Sequence, residues 1–324
     1  ADDHRVVRWA RLRAAPSLRP ALVTLQCIAR KGEDRIVCHA IPNTRSGQFT
    51  ARSRPGTTLE RPNMSDAPIY LTKNGEIAEI VLNRPDKLNA LNAEVWQGII
   101  DLFGQAGDDD DVKVVILRSS APRAFAAGAD ISEFPIVHAT AESAGAYHDK
   151  IRTAYDAIAS LNKPTIAMVR GVCFGGGCAI ALNCDLRYAD TTSRFCIPPA
   201  RLGIAYSLSE TKRLADLIGP SRAKEMLMGA KVIEAQEALS IGLATRLFEP
   251  DELEAGTQEF AQNLCNLSQF TIRAVKTMVS EILEGAVDET DTSKRLRSEG
   301  FQGADYIEGR DAFLEKRKAT FTYR

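Results

Sequence analysis

A run of three glycines, Gly175-Gly176-Gly177, constrains this chain more than any other feature. It sits in the segment Gly171-Val172-Cys173-Phe174-Gly175-Gly176-Gly177-Cys178-Ala179. An apolar strand, Thr165–Val169, comes before it, and an apolar run that reads as a helix, Ala179–Leu182, follows. Glycine adopts dihedrals closed to other residues and lets a backbone approach a ligand closely. A helix starting here aims unpaired N–H groups and the positive end of its dipole at whatever lies above. That suits a negative oxygen, and the chemistry that needs it is oxyanion stabilisation. The plain alternative is a tight strand-to-helix turn with no ligand. A second glycine loop, Phe125-Ala126-Ala127-Gly128-Ala129-Asp130, also follows a Val/Ile-rich strand, Val112–Arg118, which reads as buried. Two such loops can supply one backbone N–H apiece.

The rest of the pattern predicts an α/β fold with a helical end. Ile69–Thr72 and Ile77–Leu82 flank an Asn74-Gly75 pair, a strong hairpin signal. Ala93–Gln105 is helical, with Val95, Ile99, Leu102 and Phe103 on one face. Ala141–Leu161 is a long helix, and Leu186–Ala189 and Arg194–Cys196 are short strands. From Leu208 onward the pattern is helical: 208–217, 221–228, 235–241, 252–266, 269–281 and 293–318. Strands alternating with helices, then helices alone, indicate α/β with an appended helical region. The expected organisation is an extension over 1–63, a core over 64–260 and a helical region over 261–324.

The net charge of −1 hides an asymmetry. Residues 1–63 carry 12 Lys+Arg, eleven of them Arg, against 5 Asp+Glu, and they lack periodicity. They hold Pro16, Pro20, Pro42, Pro55 and Pro62, and no clean strand or helix is predicted. Met64-Ser65-Asp66-Ala67-Pro68 reads like a natural start. The expectation for 1–63 is a disordered or non-native extension, with an Arg-rich organelle transit segment as the alternative. The remaining body carries a net charge of −8, with an acidic stretch at 101–111, which argues against a nucleic-acid partner.

Other classes lack their signals. No apolar run reaches about 18 residues, so no membrane span is expected. Seven cysteines is an odd number without a disulfide-scaffold spacing, and Cys173, Cys178 and Cys184 read as reduced core residues. That favours a cytosolic, reducing compartment. None of His4, His39, His138 and His148 belongs to a Ser-His-Asp or Cys-His pattern. No metal constellation or dinucleotide fingerprint is evident.

Asn83-Arg84-Pro85 with Asn89-Ala90-Leu91-Asn92, then the two glycine loops, Cys184-Asp185, Leu202-Gly203-Ile204 and the tail Ala312–Lys318 follow a familiar order and spacing. From about Ile69 to Phe321 the chain resembles the crotonase (enoyl-CoA hydratase/isomerase) superfamily. The resemblance implies a spiral of ββα turns and trailing helices that support a homotrimer or dimer of trimers. It implies an acyl-CoA substrate, with coenzyme A entering as part of that substrate and no prosthetic group. It assigns two oxyanion donors to the backbones of Ala129 and Gly176. It assigns contact with coenzyme A to Lys87, Leu88, Ala90, Ala127, Asp130 and Ile131. It also gives Lys316 a reach toward a neighbouring subunit's phosphates. Read without it, Asn92 is an N-cap, Asp130 a turn or N-cap residue, and 315–318 a solvated helix end.

The chain departs from the family where proton transfer is expected. Hydratases of the family use two glutamates, at the positions of Ala179 and Pro199 here, and neither residue present can move a proton. Isomerases use an acid at the second position. Two candidates remain nearby. Tyr206 has a spacing from Phe195 that resembles the methylmalonyl-CoA decarboxylase branch, although that branch carries histidine at Ala129 and glutamate at Ala179. Its alternative role is half-buried packing. Glu210 is the other candidate, and its plainer role is an acid favourable to a helix N-terminus. Three functions stay open: a hydratase or isomerase working through an enolate, a decarboxylase using Tyr206, and a non-catalytic acyl-CoA-binding protein.

Overall fold

The computed structural model describes residues 24–29, 36–41 and 67–323. The chain divides into two units, residues 1–60 and 61–324. In the first unit, β1 (Thr24–Ala29) and β2 (Ile36–Ile41) pair antiparallel, with Thr24 opposite Ile41 and Ala29 opposite Ile36. This corrects the expectation of no strand in 1–63. All the prolines of that segment fall outside both strands, and both strands carry β-branched residues that suit a pleated backbone. The expected disorder of the remaining residues there falls outside the described residues.

In the second unit the strands are β3 (Ile69–Asn74), β4 (Ile77–Leu82), β5 (Val114–Ser119), β6 (Ala124–Ala126), β7 (Thr165–Val169), β8 (Val172–Phe174), β9 (Leu186–Asp190), β10 (Arg194–Cys196), β11 (Ile233–Glu234) and β12 (Arg246–Phe248). The helices are α1 (Ala93–Asp108), α2 (Phe134–Val137), α3 (Ala141–Ala159), α4 (Gly176–Asn183), α5 (Pro199–Leu202), α6 (Leu208–Ile218), α7 (Pro220–Gly229), α8 (Ala235–Ser240), α9 (Leu253–Cys265), α10 (Gln269–Leu283), α11 (Asp291–Gln302) and α12 (Ala304–Glu315). Helix α9 runs across position 260.

Six strands form one sheet in the order β12-β9-β7-β5-β4-β3, and four form a second, β11-β10-β8-β6. The β3–β4 pair is the antiparallel hairpin that Asn74-Gly75 predicts, with Gly75 at φ +61°. The other pairs in the larger sheet are parallel. Both faces of that sheet are covered, so its strands read as near-continuous apolar runs. Side chains alternate between two cores. Ala78, Ile80, Leu82, Val115, Leu117, Ala167 and Val169 join the main core with Trp96, Ile99 and Phe103 of α1. Ile77, Val114, Ile116, Ile166 and Met168 join a smaller one with Leu253, Ala261 and Cys265 of α9.

Helix α1 starts where the sequence predicts. Asn92 caps it, its side-chain oxygen accepting from the Val95 N–H at 3.0 Å. The predicted helix over 293–318 is instead two, α11 and α12, broken at Gly303. Strands β6 and β8 lie inside what reads as loop, because three residues are too few for an alternation to register. No helix among the described residues is long and apolar enough to cross a membrane.

Candidate active site

Strands β6 and β8 are parallel neighbours, with Ala124 opposite Val172 and Ala126 opposite Cys173. The residues that follow them therefore leave the same end of the smaller sheet side by side. After β8, Gly175 caps α4 with φ +50°, and Gly176 is the first helical residue. After β6, Gly128 sits at φ +107°, a backbone closed to most side chains. A Cβ there would lie 3.1 Å from the Phe174 carbonyl oxygen and 3.5 Å from the Gly176 nitrogen. A Cβ on Gly177 would collide with the Ala126 carbonyl. The two glycine loops are thus in direct backbone contact, and side chains are excluded from between them.

Neither the Ala129 nor the Gly176 N–H donates to a backbone carbonyl among the described residues. Gly176 is unpaired because it opens a helix. Ala129 is unpaired although its neighbours are bonded: the Gly128 carbonyl accepts from Leu91 N at 2.8 Å, and Asp130 N donates to the Leu91 carbonyl at 3.0 Å. Behind Gly176 stands Trp96, fully buried, whose Cη2 and Cζ2 would lie 3.2 Å from a Cβ on that glycine.

The segment before α1 is stitched to the first loop. Ala127 N donates to the Leu88 carbonyl at 2.9 Å. Buried Asn89 donates through Nδ2 to the Ala124 carbonyl at 2.9 Å and accepts from Arg84 N at 2.7 Å. Arg84 pairs with Asp130 at 2.9 Å, and Asp130 caps the short turn Ile131–Glu133 by accepting from Ser132 N. The Ser132 hydroxyl, and after it Arg84, hold the Asp130 carboxyl below its ordinary value against the opposing effect of burial. Lys87, Leu88, Ala90, Ala127, Asp130 and Ile131 therefore fall in one neighbourhood, with Lys87 and Ile131 exposed. A cleft of about 280 Å³ opens beside it, lined by Pro85, Asp86, Leu88, Asn89, Arg123 and Ala124 among others. Lys316 is not joined to this cluster by any hydrogen bond or ion pair among the described residues. It ends α12 as an exposed C-cap at φ +56°.

Ala179 and Pro199 are buried. Tyr206 is half-buried and packs on the main core. Its hydroxyl is buried and closes no hydrogen bond of normal geometry, although the Tyr155 hydroxyl is within interaction range. Burial, reinforced by Tyr155 and Glu210, raises the Tyr206 phenol well above its ordinary value. Tyr155 in turn meets Trp96 edge-on, with centroids 5.7 Å apart.

Glu210 stands in the first turn of α6, as the helix-terminus reading expects, but it does not serve that end as an exposed acid. Ser207 caps α6 by accepting from the Glu210 N–H at 3.3 Å, while the Glu210 side chain turns inward and is only 3% exposed. Its Oε2 accepts from Asn183 Nδ2 at 3.1 Å. Burial raises the carboxyl to about 7; Arg213 and the Asn183 hydrogen bond oppose this, and Asp156 adds to it. Sequence reasoning missed Trp96, Tyr155 and Asn183. Only Trp96 carried a local signal, since it shares the apolar face of α1 with Ile99 and Phe103.

A profile of enoyl-CoA hydratase/isomerase proteins matches residues 72–324. The chain belongs to the enoyl-CoA hydratase/isomerase family. Within this family it is 35% identical over 258 residues to the crotonyl-CoA hydratase of Syntrophomonas wolfei, covering 78% of this chain and 97% of that one. It is 34% identical to the short-chain-enoyl-CoA hydratase of Clostridium acetobutylicum, covering 77% of this chain and 95% of that one. The solved enoyl-CoA hydratase/carnithine racemase of Magnetospirillum magneticum superposes with a TM-score of 0.76 at 33% identity, covering 79% of this chain and 96% of that one. This family member therefore has the crotonase fold, with the helical region at its C-terminal end.

Proposed function

We propose that this protein binds an acyl-CoA thioester and stabilises its enolate between the Ala129 and Gly176 N–H groups. The observation that carries this reading is the pair of unpaired amides on two loops held in backbone contact. When the α-carbon gains electron density, charge collects on the thioester oxygen. Two donors about 2.7–3.1 Å from that oxygen offset the charge, and losing one typically costs about 2.7–4 kcal/mol. The segment around Lys87–Ala90 with Ala127, Asp130 and Ile131 would hold the coenzyme A portion, and Lys316 would serve a neighbouring copy's phosphates. The reaction needs no prosthetic group, because coenzyme A enters with the substrate. The family points to a homotrimer or dimer of trimers, and the buried free cysteines fit a reducing, cytoplasmic setting.

The positions of Ala179 and Pro199 offer no proton-transferring group, so ordinary hydration would require other residues. Decarboxylation is the second reading, and the buried Tyr206 hydroxyl, with the Tyr155 hydroxyl within interaction range, favours it. Loss of CO₂ creates the enolate without a base. Binding without turnover is the third reading.

The test incubates the full chain with crotonyl-CoA, followed by absorbance, and with methylmalonyl-CoA, followed by CO₂ release. Turnover of either is expected, and Gly176→Pro, which removes one donor, should abolish it while leaving the chain folded. CO₂ release that disappears in Tyr206→Phe selects decarboxylation. A folded Gly176→Pro variant with undiminished turnover contradicts the donor assignment. Calorimetry that finds no affinity for either ester ends the acyl-CoA reading.

A further inference from the structure

A second cleft, of about 410 Å³, is lined by Arg123, Arg170 and Arg194, with Gly171, Asp190 and Thr192 among its other walls. None of the residues assigned above to the thioester or to coenzyme A lines it. Gly171 explains why three arginines from separate parts of the chain meet here. Arg170 precedes it in the chain. The Gly171 carbonyl accepts from Arg194 N at 2.9 Å, and Val172 N, next along, donates to the Arg123 carbonyl at 3.3 Å. Gly171 is at φ +64°, and a Cβ there would stand 2.3 Å from the Arg123 carbonyl oxygen, so glycine is what lets the Arg123 backbone come this close.

The three guanidiniums differ in how they are held. Arg170 is fixed: its Nε donates to Asp190 Oδ2 at 3.1 Å and its Nη2 to the Pro250 carbonyl at 2.6 Å. Asp190 is fully buried, and its other oxygen accepts from Thr192 N, the Thr192 hydroxyl and the Ser193 hydroxyl. Arg123 and Arg194 are exposed, and neither side chain makes a hydrogen bond or ion pair among the described residues. Glu234 stands opposite Arg194 in the β10–β11 ladder but closes no ion pair with it. The lining therefore brings three positive charges and one negative, and the negative one is already committed. Like charges gathered in one cleft repel unless an anion joins them.

We infer that this cleft binds a small phosphorylated ligand through Arg123, Arg170 and Arg194, at a site separate from that of the acyl-CoA thioester. A guanidinium presents a planar fork that meets two phosphate oxygens at once. Three of them match a diphosphate better than a lone carboxylate, which brings a single negative charge. The volume of the cleft suits a small molecule, and the net charge of −8 on the body disfavours an extended polyanion. Arg123 also lines the cleft beside Leu88 and Asn89, so the phosphates of coenzyme A are the other source of this chemistry. Arg194 lines only the second cleft and tells the two sources apart.

The test measures the affinity of the full chain for inorganic pyrophosphate by calorimetry, at constant ionic strength set with sodium chloride. One site is expected, with a Kd below about 1 mM. Arg194→Gln and Arg123→Gln should each weaken binding about tenfold or more. Arg222→Gln should leave it unchanged, because Arg222 is an equally exposed arginine on α7, without a partner among the described residues, that lies outside the cleft. Affinity for butyryl-CoA, titrated separately, should be the same in Arg194→Gln as in wild type, and pyrophosphate should still bind when butyryl-CoA is saturating. No affinity for pyrophosphate overturns the inference. So does an Arg194→Gln variant that binds it like wild type, or an Arg222→Gln variant that loses as much. If butyryl-CoA displaces pyrophosphate and Arg194→Gln weakens both, the cleft holds the phosphates of coenzyme A and the separate site is overturned. If one of the two cleft variants fails to fold, as circular dichroism would show, the other decides.

Discussion

Asn183 joins Glu210 to the helix that opens at Gly176. Its Nδ2 lies 3.1 Å from Glu210 Oε2 and 2.9 Å from the Ala179 carbonyl. The amide is thus shared between the helix backbone and a carboxyl from a different helix.

The buried carboxyl makes stability depend on pH. Glu210 titrates at about 7 in the fold, against an ordinary 4.5. Between those values the folded protein holds a proton that the unfolded chain has released. Its favourable contribution is fully present below the ordinary value and is lost as pH rises through about 7. The size is on the order of 3 kcal/mol. Urea unfolding of wild type should therefore weaken across that window relative to Glu210→Gln. Parallel pH profiles for the two proteins would contradict the shifted value.

Asp130 should behave with the opposite sign. Its carboxyl is held below the ordinary 3.8, chiefly by the Ser132 hydroxyl and then by Arg84. Its contribution is present above the ordinary value and is lost as pH falls through the lowered one. Asp130→Asn keeps the shape but removes the charge that Arg84 meets at 2.9 Å. Destabilisation of about 1–3 kcal/mol is expected, measured by chemical unfolding at neutral pH. Any coenzyme A-ester turnover should fall with it, because the residue anchors the loop that bears Ala129.

Gly128→Ala should damage function more than Gly104→Ala, although the chemical change is the same. At Gly128 the backbone is at φ +107° and the added carbon meets Phe174 and Gly176. A cost of about 1–3 kcal/mol is expected, with turnover reduced about tenfold or more as the loops part. At Gly104, inside α1, the added carbon meets nothing within 4 Å. There alanine should stabilise by about 0.5–1 kcal/mol. Thermal melts and steady-state assays of both variants provide the check.

Asn89→Ala should be among the more harmful changes outside the aromatic core. Asn89 adopts φ +54°, is buried, and uses both atoms of its side-chain amide, Nδ2 donating to the Ala124 carbonyl and Oδ1 accepting from Arg84 N. Alanine leaves the Ala124 carbonyl without that donor and tolerates the left-handed backbone less well. About 2–4 kcal/mol is expected from unfolding curves. A loss below about 0.5 kcal/mol would show that another group takes over the carbonyl.

Local pattern was enough for much of the framework. Short apolar runs marked β4, β5 and β7, Asn74-Gly75 marked the hairpin, and Asn92 marked the start of α1. These features depend on neighbours within a few residues, which a linear reading contains. It did less well at β6 and β8, whose three residues carry no period. It also missed the hairpin in the first unit, because the proline count of the whole segment obscured two short β-branched runs between those prolines.

What the chain determined alone was the pair of glycine loops and the strands that deliver them, because a glycine's backbone freedom is a property of the residue itself. Only the folded arrangement decided that the loops touch, since β6 and β8 become neighbours through pairing across 46 residues or more of intervening chain. It likewise decided that Glu210 turns inward to Asn183 while Ser207 takes the cap. Burial of a carboxyl depends on what packs over it, and here those residues come from helices far apart in the chain.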